Sequence, residues 1–398
     1  MKRDESRVET FVELLHKKKL DALLFVHPEN VLLSSGMLPA APFTVCIVTA
    51  SHRVIVITPW WRSEFAQVNS WADSIFSFNW LKKLKTVDPV VSLNGYLAKV
   101  KRKLSINSIG YDGSFEWFMP SYTPSTFFSY KGFKVGLEEI FDKAIDVSQD
   151  IQQLRAIKTV YEIEMIRRAH KISEEAVRVF YKSAKPGVKE VDIAAEILRA
   201  VQSQAGKNGV KFTYCDPPQI TSGSRRTLYA NVPVCPSTIK KLKEGELVML
   251  ELGGCADGYW FDLSRTLVVG GRTKTIHDEM AAAINNAMKA AYSAFCQNKR
   301  TGAELTDAAF KVLKSSGFAK GIVHGIGHGV GFAYHENQPN IGPGSKDVIR
   351  PGMVTSMEPG LYLQGVGGIR IEENVLWGEN KVTVLSSYYN GLHGWPIK

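Results

Sequence analysis

Residues 324–336 read HGIGHGVGFAYHE, a stretch in which glycine alternates with histidine and aliphatic residues. Carboxylates lie on both sides of it along the chain: Asp262 upstream in FDLSRT, Glu358 downstream in SMEPG, and Glu372 in GIRIEEN. Neutral imidazoles and ionised carboxylates are the side chains that bind hard or borderline divalent cations. This collection predicts a metal-dependent enzyme.

His328 lies between glycines, a pattern typical of a strand that another backbone or a ligand approaches closely. Val330 and Phe332 break the G-x-G-x-x-G spacing, so the glycines do not predict a dinucleotide-binding loop. A single histidine in such a strand is more often structural, but three histidines beside four carboxylates favour a metal site. The chain contains no G-x-S-x-G motif, which leaves a serine hydrolase without support.

Two apolar runs within residues 248–266 flank a Gly/Asp-rich connection and predict a β-hairpin. A turn at residues 256–257 would put Glu251 directly opposite Asp262. A turn at residues 257–258 would shift the pairing by two residues and still keep both carboxylates on one face. Two carboxylates on one face repel each other unless a cation lies between them, so either turn predicts part of a metal site.

A second hairpin is predicted around Gly365, because Glu358 and Glu372 are symmetric about this residue in the loop QGVGG. Arg370 precedes Glu372 by two residues, so both side chains point to the same face of the strand. Arg370 could form a simple ion pair, orient a ligand, or stabilise a developing oxyanion.

The 398 residues suffice for two domains. Alternating helix and strand patterns predict an α/β domain over residues 1–150, and helices packed on a mostly antiparallel sheet predict an α+β domain over residues 151–398. The chain as a whole is therefore assigned to the α+β class. The individual predictions are an amphipathic helix at 7–19, a strand at 21–26, a strand pair within 45–58, one long helix at 152–182, and helices at 191–204, 276–296 and 303–316.

The net charge of +10 comes partly from short lysine-rich runs at 17–19, 82–83 and 99–103. These runs lack interleaved aromatic residues, so they favour a solvated surface over nucleic-acid binding. The five cysteines form no C-x-x-C pair and predict reduced thiols. No apolar run approaches the roughly 20 residues that cross a membrane, and the charged N-terminus lacks the apolar core of a secretory signal. These features predict a cytoplasmic protein that binds neither nucleic acid nor membrane.

Residues of about 150–380 resemble the pita-bread metallopeptidases, which comprise Xaa-Pro aminopeptidases, Xaa-Pro dipeptidases (prolidases) and methionine aminopeptidases, with creatinase as a metal-free relative. The strings that carry the resemblance are GYWFDLSRT, HGIGHGVGFAYHE, RPGMVTSMEPGLY and GGIRIEENV, with LRAIKTVYEIEMIRRAH and KPGVKEVD before them. The first domain fits more loosely, through PENVLLSSG and a creatinase-like α/β pattern. The resemblance implies a smaller creatinase-like domain followed by a pita-bread catalytic domain.

The family binds two divalent metal ions, here expected to be Mn²⁺, Co²⁺ or Zn²⁺, through five ligands in the order Asp, Asp, His, Glu, Glu. In this chain the resemblance assigns these ligand positions to Glu251, Asp262, His328, Glu358 and Glu372. Asp262 and Glu372 would bridge the ions, His328 and Glu358 would hold one of them, and Glu251 would hold the other. The implied reaction is the hydrolysis of Xaa-Pro peptide bonds by a metal-bridged water.

The resemblance also assigns roles toward a small peptide substrate. Glu358 would act as the general base, while His335 and Arg370 would contact the substrate and the tetrahedral intermediate. His324 is a candidate for the substrate side of the site or for support behind the ligands. The family further implies a homodimer.

Two departures from the family pattern bear on these expectations. The first ligand is Glu251 rather than aspartate, which extends the carboxylate by about 1.5 Å. The histidine that usually precedes this ligand by about 17 residues is replaced by Val234, and no histidine occurs between His170 and His277. The first departure puts one metal position in question, and the second weakens both ordinary Xaa-Pro cleavage and creatinase-type chemistry.

Two alternatives follow from these departures. One is a hydrolase of small C–N compounds on the same fold, similar to creatinase or ectoine hydrolase, with weakened or absent metal binding. The other is a non-enzymatic binding protein on the same scaffold. Retention of four of the five family ligands favours the metallopeptidase over both.

Overall fold

The computed structural model describes residues 2–38, 43–79, 89–113, 130–230, 235–386 and 391–393. The lysine pair at 82–83 lies outside these ranges. The chain divides into two compact units, Met1–Arg155 and Ala156–Lys398.

The first unit is built on one six-stranded mixed sheet. Its strands are β1 (Ala22–Phe25), β2 (Val45–Thr49), β3 (Val54–Pro59), β4 (Ser74–Phe78), β5 (Ser108–Tyr111) and β6 (Lys143–Asp146). They are arranged in the order β4-β3-β2-β1-β5-β6. The pairs β1–β2 and β2–β3 are antiparallel and the other pairs are parallel. Every residue of β1, β2 and β3 is buried, which explains their continuous apolar runs.

The helices of this part of the chain are α1 (Glu5–Lys18), α2 (Pro28–Ser35), α3 (Ser63–Asn69), α4 (Pro89–Leu104), α5 (Tyr130–Ile140) and α6 (Ser148–Ala156), with a short 3-10 helix at Trp60–Arg62. Leu93 and Leu97 of α4 and Leu137 of α5 pack into the same apolar core as the sheet. The predicted helix at 7–19 and the strands at 21–26, 45–48 and 54–58 are confirmed.

The second unit is α+β, as predicted, and all of its strand pairs are antiparallel. Its strands are β7 (Thr213–Cys215), β8 (Gln219–Ser222), β9 (Leu247–Ala256), β10 (Tyr259–Val268), β11 (Gly327–Gly329), β12 (Glu336–Ile341), β13 (Val354–Met357), β14 (Gly360–Leu363), β15 (Gly367–Arg370), β16 (Glu373–Trp377) and β17 (Val382–Val384). Its helices are α7 (Val160–Ser183), α8 (Glu190–Gln202), α9 (Ser224–Leu228), α10 (Thr275–Cys296) and α11 (Gly302–Ser315), with a 3-10 helix at Ala319–Gly321.

Two large apolar cores lie within the described part of this unit. The first joins α7 and α8 to the β9–β10 hairpin, with Phe180 and Phe261 both fully buried. The second joins α10 and α11 to the later strands, and Phe295 packs on Trp377 with ring centroids 4.6 Å apart. Within the described ranges, no helix combines the length and apolar character needed to cross a membrane.

The predicted single helix at 152–182 is wrong, because α6 ends at Ala156 and α7 begins at Val160. Thr159 caps α7: its hydroxyl accepts the Glu162 N–H at 3.2 Å, and the Glu162 carboxylate accepts the Thr159 N–H at 2.9 Å. Ile157 meanwhile forms a β-bridge with Met353. This capping box starts a new helix and leaves a three-residue extended segment before it.

Thr159→Ala should destabilise the protein by about 1 kcal/mol, because it leaves a helix-terminal N–H without its acceptor. The measurement is thermal unfolding followed by circular dichroism, and Thr159→Ser is the matched control because it keeps the hydroxyl. A lower melting temperature for the alanine variant than for the serine variant is expected. Equal melting temperatures would show that the cap contributes nothing.

Candidate metal centre

The first hairpin, β9–β10, turns at Asp257 and Gly258, whose φ angles are +51° and +89°. Two consecutive positive φ angles are typical of a type I′ turn, which matches the twist of paired strands. The register places Glu251 opposite Ser264 and Asp262 opposite Gly253. Of the two turns left open by the sequence, the structure has the one at 257–258, and both carboxylates lie on one face.

The second hairpin is centred on Gly365 and spans two ladders in one continuous register: β13 pairs with β16, and β14 pairs with β15. Glu358 and Glu372 occupy the interval between these ladders. The Glu372 N–H donates to the Ser264 carbonyl at 3.2 Å, which ties this interval to β10. Backbone pairing thus brings together carboxylates, such as Asp262 and Glu372, that are 110 residues apart in the sequence.

His328 lies on β11, where the glycines on either side allow close backbone contact. A Cβ on Gly327 would lie 2.2 Å from the Ser356 carbonyl oxygen, and a Cβ on Gly329 would lie 2.2 Å from the Gln338 carbonyl oxygen. Neither position has room for a side chain. The predicted close approach of another backbone is confirmed.

The two histidines of the centre face the carboxylates. His328 Nδ1 lies 3.0 Å from the Gly329 carbonyl, so Nδ1 is the donor and Nε2 faces the site. His328 Nε2 lies 3.2 Å from Glu358 Oε1 and 3.4 Å from Asp262 Oδ2. The His335 ring stacks on His328 at 3.4 Å, and its Nε2 lies 3.5 Å from Asp262 Oδ2.

All five ligand positions assigned by resemblance, together with His335, therefore lie close together. Their donor atoms form three groups, and the atoms within each group lie within 4.8 Å of one another. These groups are Asp262, His328 and His335; His328, Glu358 and Glu372; and Glu251, Asp262 and Glu372.

Four carboxylates and two histidines lie close together in this cluster, so their pKa values depend on burial and on one another. Burial raises the pKa of Asp262 to about 7, and the Glu251 and Glu358 charges add to that rise. Burial and the Asp262 charge raise the pKa of Glu372 well above its usual range. Burial opposes protonation of His328, but the nearby carboxylates of Asp262 and Glu358 outweigh this effect and raise the His328 pKa. Burial likewise opposes ionisation of Glu358, yet His328 holds the Glu358 pKa below its usual range.

The unpaired oxygen atoms show that these residues fit a divalent cation. Both carboxylate oxygens of Asp262 and Oε1 of Glu372 are buried and have no hydrogen-bond partner in the described part of the chain. Buried polar atoms are normally paired, and neighbouring buried carboxylates stay ionised only beside positive charge. A cation between Asp262 and Glu372 would satisfy all three atoms at once.

Glu251 differs from the other carboxylates of the centre because it forms an ion pair with an arginine. Ser264 Oγ lies 2.5 Å from Glu251 Oε2 and 2.7 Å from Glu372 Oε2, and Arg370 Nη2 forms an ion pair with Glu251 Oε2. Arg370 Nε also donates to Ser264 Oγ at 2.6 Å. The sequence prediction omitted Ser264, although it lies two residues after Asp262 on the same face of β10.

Arg370 connects the carboxylates to His324 through a tyrosine. Its Nη1 donates to Tyr362 Oη at 3.0 Å and to the Ala230 carbonyl at 2.9 Å. Tyr362 Oη lies 3.1 Å from His324 Nε2, and His324 belongs to none of the three donor groups. Tyr362 was also omitted from the prediction, and its one sequence signal is Gly368, the cross-strand partner that leaves room for its ring.

Val234, where the resemblance expects a histidine, lies outside the described residues. The nearest described residues on either side of it are Ala230 and Cys235. Ala230 contributes the carbonyl that accepts from Arg370, so Ala230 itself lies next to the centre.

Comparisons with protein families agree with the two-domain fold. The model of metallopeptidase family M24 matches residues 164–379, and the model of the creatinase/prolidase N-terminal domain matches residues 7–157. The chain belongs to metallopeptidase family M24, and this membership implies divalent metal ions as cofactors.

Individual relatives match over nearly the whole chain. An Xaa-Pro dipeptidase of Pyrococcus furiosus is 28% identical over 379 residues, which cover 94% of this chain and 96% of that protein. The prolidase from Pyrococcus horikoshii, whose crystal structure is known, is 25% identical in sequence. The two structures match with a TM-score of 0.74, and the match covers 97% of this chain and 99% of that chain. An Xaa-Pro dipeptidase from Bacillus anthracis has a TM-score of 0.77 at 22% identity, covers 98% of this chain and 99% of its own, and supports the fold alone.

Proposed function

We propose that this protein hydrolyses the peptide bond of Xaa-Pro dipeptides with the help of bound divalent cations. The observation that carries this proposal is the convergence of Asp262 and Glu372, with three unpaired buried oxygens, on His328 and Glu358. The similarity to Xaa-Pro dipeptidases along nearly the full chain supports the substrate class.

Two cations fit the arrangement of the donors. Asp262 and Glu372 would be shared, His328 and Glu358 would complete one position, and Glu251 would complete the other. Carboxylate oxygens outnumber the imidazole, which favours Mn²⁺ among the three ions considered. When bound, such cations supply Lewis acidity, which polarises a carbonyl and lowers the pKa of water.

Side-chain exposure indicates the side from which the substrate approaches. Asp262 and Glu372 are 1% and 0% exposed and form the floor of the centre. Glu358 and His335 are 16% and 18% exposed and line its opening. A substrate would therefore reach these side chains, and Glu251 with its 15% exposure, before Asp262 and Glu372.

These exposed groups have distinct tasks. The lowered pKa of Glu358, caused mainly by His328, keeps its carboxylate ionised, so Oε1 accepts the proton of the attacking water and passes it to the leaving nitrogen. Burial lowers the pKa of His335 and keeps its ring neutral, so it orients the substrate by hydrogen bonding. Proline suits a site that need not accept an amide hydrogen, because its peptide nitrogen has none.

Arg370 carries a permanent positive charge that forms an ion pair with Glu251. The residue is 5% exposed, and its guanidinium is held at Nε and Nη1 by Ser264 and Tyr362. A guanidinium fixed in this way stabilises negative charge that develops on the substrate oxygen. His324 supports it from behind through Tyr362.

The small-molecule C–N hydrolase is not favoured. Its relatives without metal have no need of a paired-carboxylate centre, whereas this chain keeps one with unpaired buried oxygens. The dimeric state and the cytoplasmic location stay predictions.

The test is an assay of the Mn²⁺-loaded protein with Ala-Pro, Ala-Pro-Ala and Ala-Ala. Hydrolysis of Ala-Pro well above that of Ala-Ala is expected, because the similarity to Xaa-Pro dipeptidases supports proline after the cleaved bond. The tripeptide separates a dipeptidase from an aminopeptidase. Absence of hydrolysis with all three peptides, when bound Mn²⁺ has been measured, would contradict the proposal.

A further inference from the structure

A buried ion pair lies beside the loop that carries His335. Lys158 Nζ lies 2.5 Å from Glu336 Oε2, and the two side chains are 0% and 2% exposed. Lys158 belongs to the extended segment between α6 and α7, and Glu336 is the first residue of β12. The pair therefore joins the start of the second unit to the residue that follows His335.

Both partners are fixed on the side away from the pair. The Lys158 N–H donates to the Gly352 carbonyl at 2.9 Å, and its Nζ also donates to the Ala156 carbonyl at 3.3 Å. The second oxygen of Glu336 accepts the Phe332 N–H at 2.9 Å. Glu336 thus closes the loop of residues 331–335 across its base.

The lysine side chain also lies against this loop. Gly331 has a φ of +155°, and a Cβ there would lie 2.6 Å from Lys158 Cε. The Gly331 carbonyl accepts the Trp260 N–H at 2.7 Å, two residues before Asp262 on β10. The loop is thereby held between Lys158 and the strand that carries a ligand position.

Buried ion pairs are poor sources of stability, because desolvation of the two charges cancels most of their attraction. Apolar residues of similar size could replace the two charges with little loss of stability, apart from the acceptor that Glu336 provides for the Phe332 N–H. The contribution of the ion pair is instead to fix the position of the 331–335 loop. The lysine side chain lies against the start of the loop, and the Glu336 carboxylate follows its end.

We propose that Lys158 is a positioning residue that, through Glu336, fixes the 331–335 loop and keeps His335 stacked on His328 and directed at the substrate. This inference rests on the proposed function, because it gives His335 a task in substrate binding. A misplacement of about 1 Å in such a group costs on the order of 10²-fold in rate.

The test is a double-mutant cycle based on Lys158→Met/Glu336→Leu, which replaces both charges and leaves no unpaired buried charge. We expect this variant to fold with a slightly lower melting temperature, because the Phe332 N–H loses its acceptor, and to lose about 10- to 100-fold in kcat/KM toward Ala-Pro. In a His335→Ala background the same two substitutions should cause no further loss, because their effect acts through His335. Lys240→Met/Glu246→Leu removes another ion pair, whose hydrogen bonds lie within residues 222–246, and should leave kcat/KM unchanged.

Two results would overturn the inference: wild-type kcat/KM in the Lys158/Glu336 variant, or an equal loss in the His335→Ala background. Hydrogen exchange of the metal-free protein gives a second readout that needs no substrate. Amides of residues 331–335 should exchange faster in the Lys158/Glu336 variant than in wild type, and unchanged exchange would contradict the positioning role. If the wild type hydrolyses no Xaa-Pro peptide, the proposed function fails while the exchange experiment still tests Lys158.

Discussion

Asp262→Asn is expected to abolish tight binding of divalent cations and to lower kcat/KM toward Xaa-Pro dipeptides by about 10³-fold or more. The substitution keeps the shape of the side chain but removes the charge that faces both proposed cation positions. Metal assistance contributes several kcal/mol to catalysis, and each 1.4 kcal/mol corresponds to about tenfold in rate. The measurement is steady-state kinetics beside metal analysis of the same preparation.

The same substitution should stabilise the metal-free protein at neutral pH. A carboxyl whose pKa is higher in the folded state than in the unfolded state costs stability once it ionises. For Asp262 this cost is absent below about pH 4, increases as pH rises, and is fully present above pH 7, since its folded pKa is about 7. Melting temperatures in chelator should therefore favour Asp262→Asn increasingly from pH 4 to pH 7.

Added Mn²⁺ should reverse this order, because only the wild type gains stability from a bound ligand. Asp307→Asn, on an exposed position of α11, is the matched control and should behave as the wild type does. A metal-free Asp262→Asn protein that is less stable than wild type at pH 7.5, and that still responds to Mn²⁺, would contradict the assignment of Asp262.

Arg370→Met should lower kcat by about 10²- to 10³-fold, the usual effect of removing a donor that stabilises an oxyanion. The variant also leaves Glu251, Ser264 and the Tyr362 hydroxyl without their shared donor. Arg370→Lys is the informative comparison, because it keeps the charge but not the planar group that contacts all three. Steady-state kinetics at saturating Mn²⁺ separates kcat from KM.

We expect Arg370→Lys to retain only a small part of the wild-type kcat, while both variants bind as much Mn²⁺ as the wild type. Metal content measured on the assayed samples excludes loss of cations as the cause. A fully active Arg370→Met protein would show that Arg370 is only a structural partner of Glu251.

Strand pairing explains how much of the centre could be predicted from the sequence. In each hairpin, the two carboxylates lie at nearly equal distances in sequence from the turn. This holds for Glu251 and Asp262 and for Glu358 and Glu372. Residues placed in this way come together when the two strands pair. The sequence did not decide between two registers of the first hairpin. A turn at 256–257 and a turn at 257–258 both place Glu251 and Asp262 on one face, so the pairing of the carboxylates could not distinguish them.

The residues that were not predicted depend on contacts between distant segments. Lys158 meets Glu336, 178 residues later, and no local pattern specifies that pair. Tyr362 reaches His324 and Arg370 through its hydroxyl, which strand periodicity does not reveal. The break before α7 did have a local signal, since Thr159 and Glu162 have the spacing of a capping box, and the apolar periodicity of residues 152–182 obscured it.

The central claim is that two β-hairpins and strand β11, which carries His328, together form a cation-binding centre. Measuring the number of bound metal ions per chain tests this claim most directly. Metal-free protein is dialysed against Mn²⁺, and the bound ions per chain are measured by elemental analysis for the wild type and for Asp262→Asn. We predict about two ions per wild-type chain, as in other two-metal hydrolytic centres, and none bound tightly to the variant. Equal Mn²⁺ content in both proteins, or none in the wild type, would contradict the account.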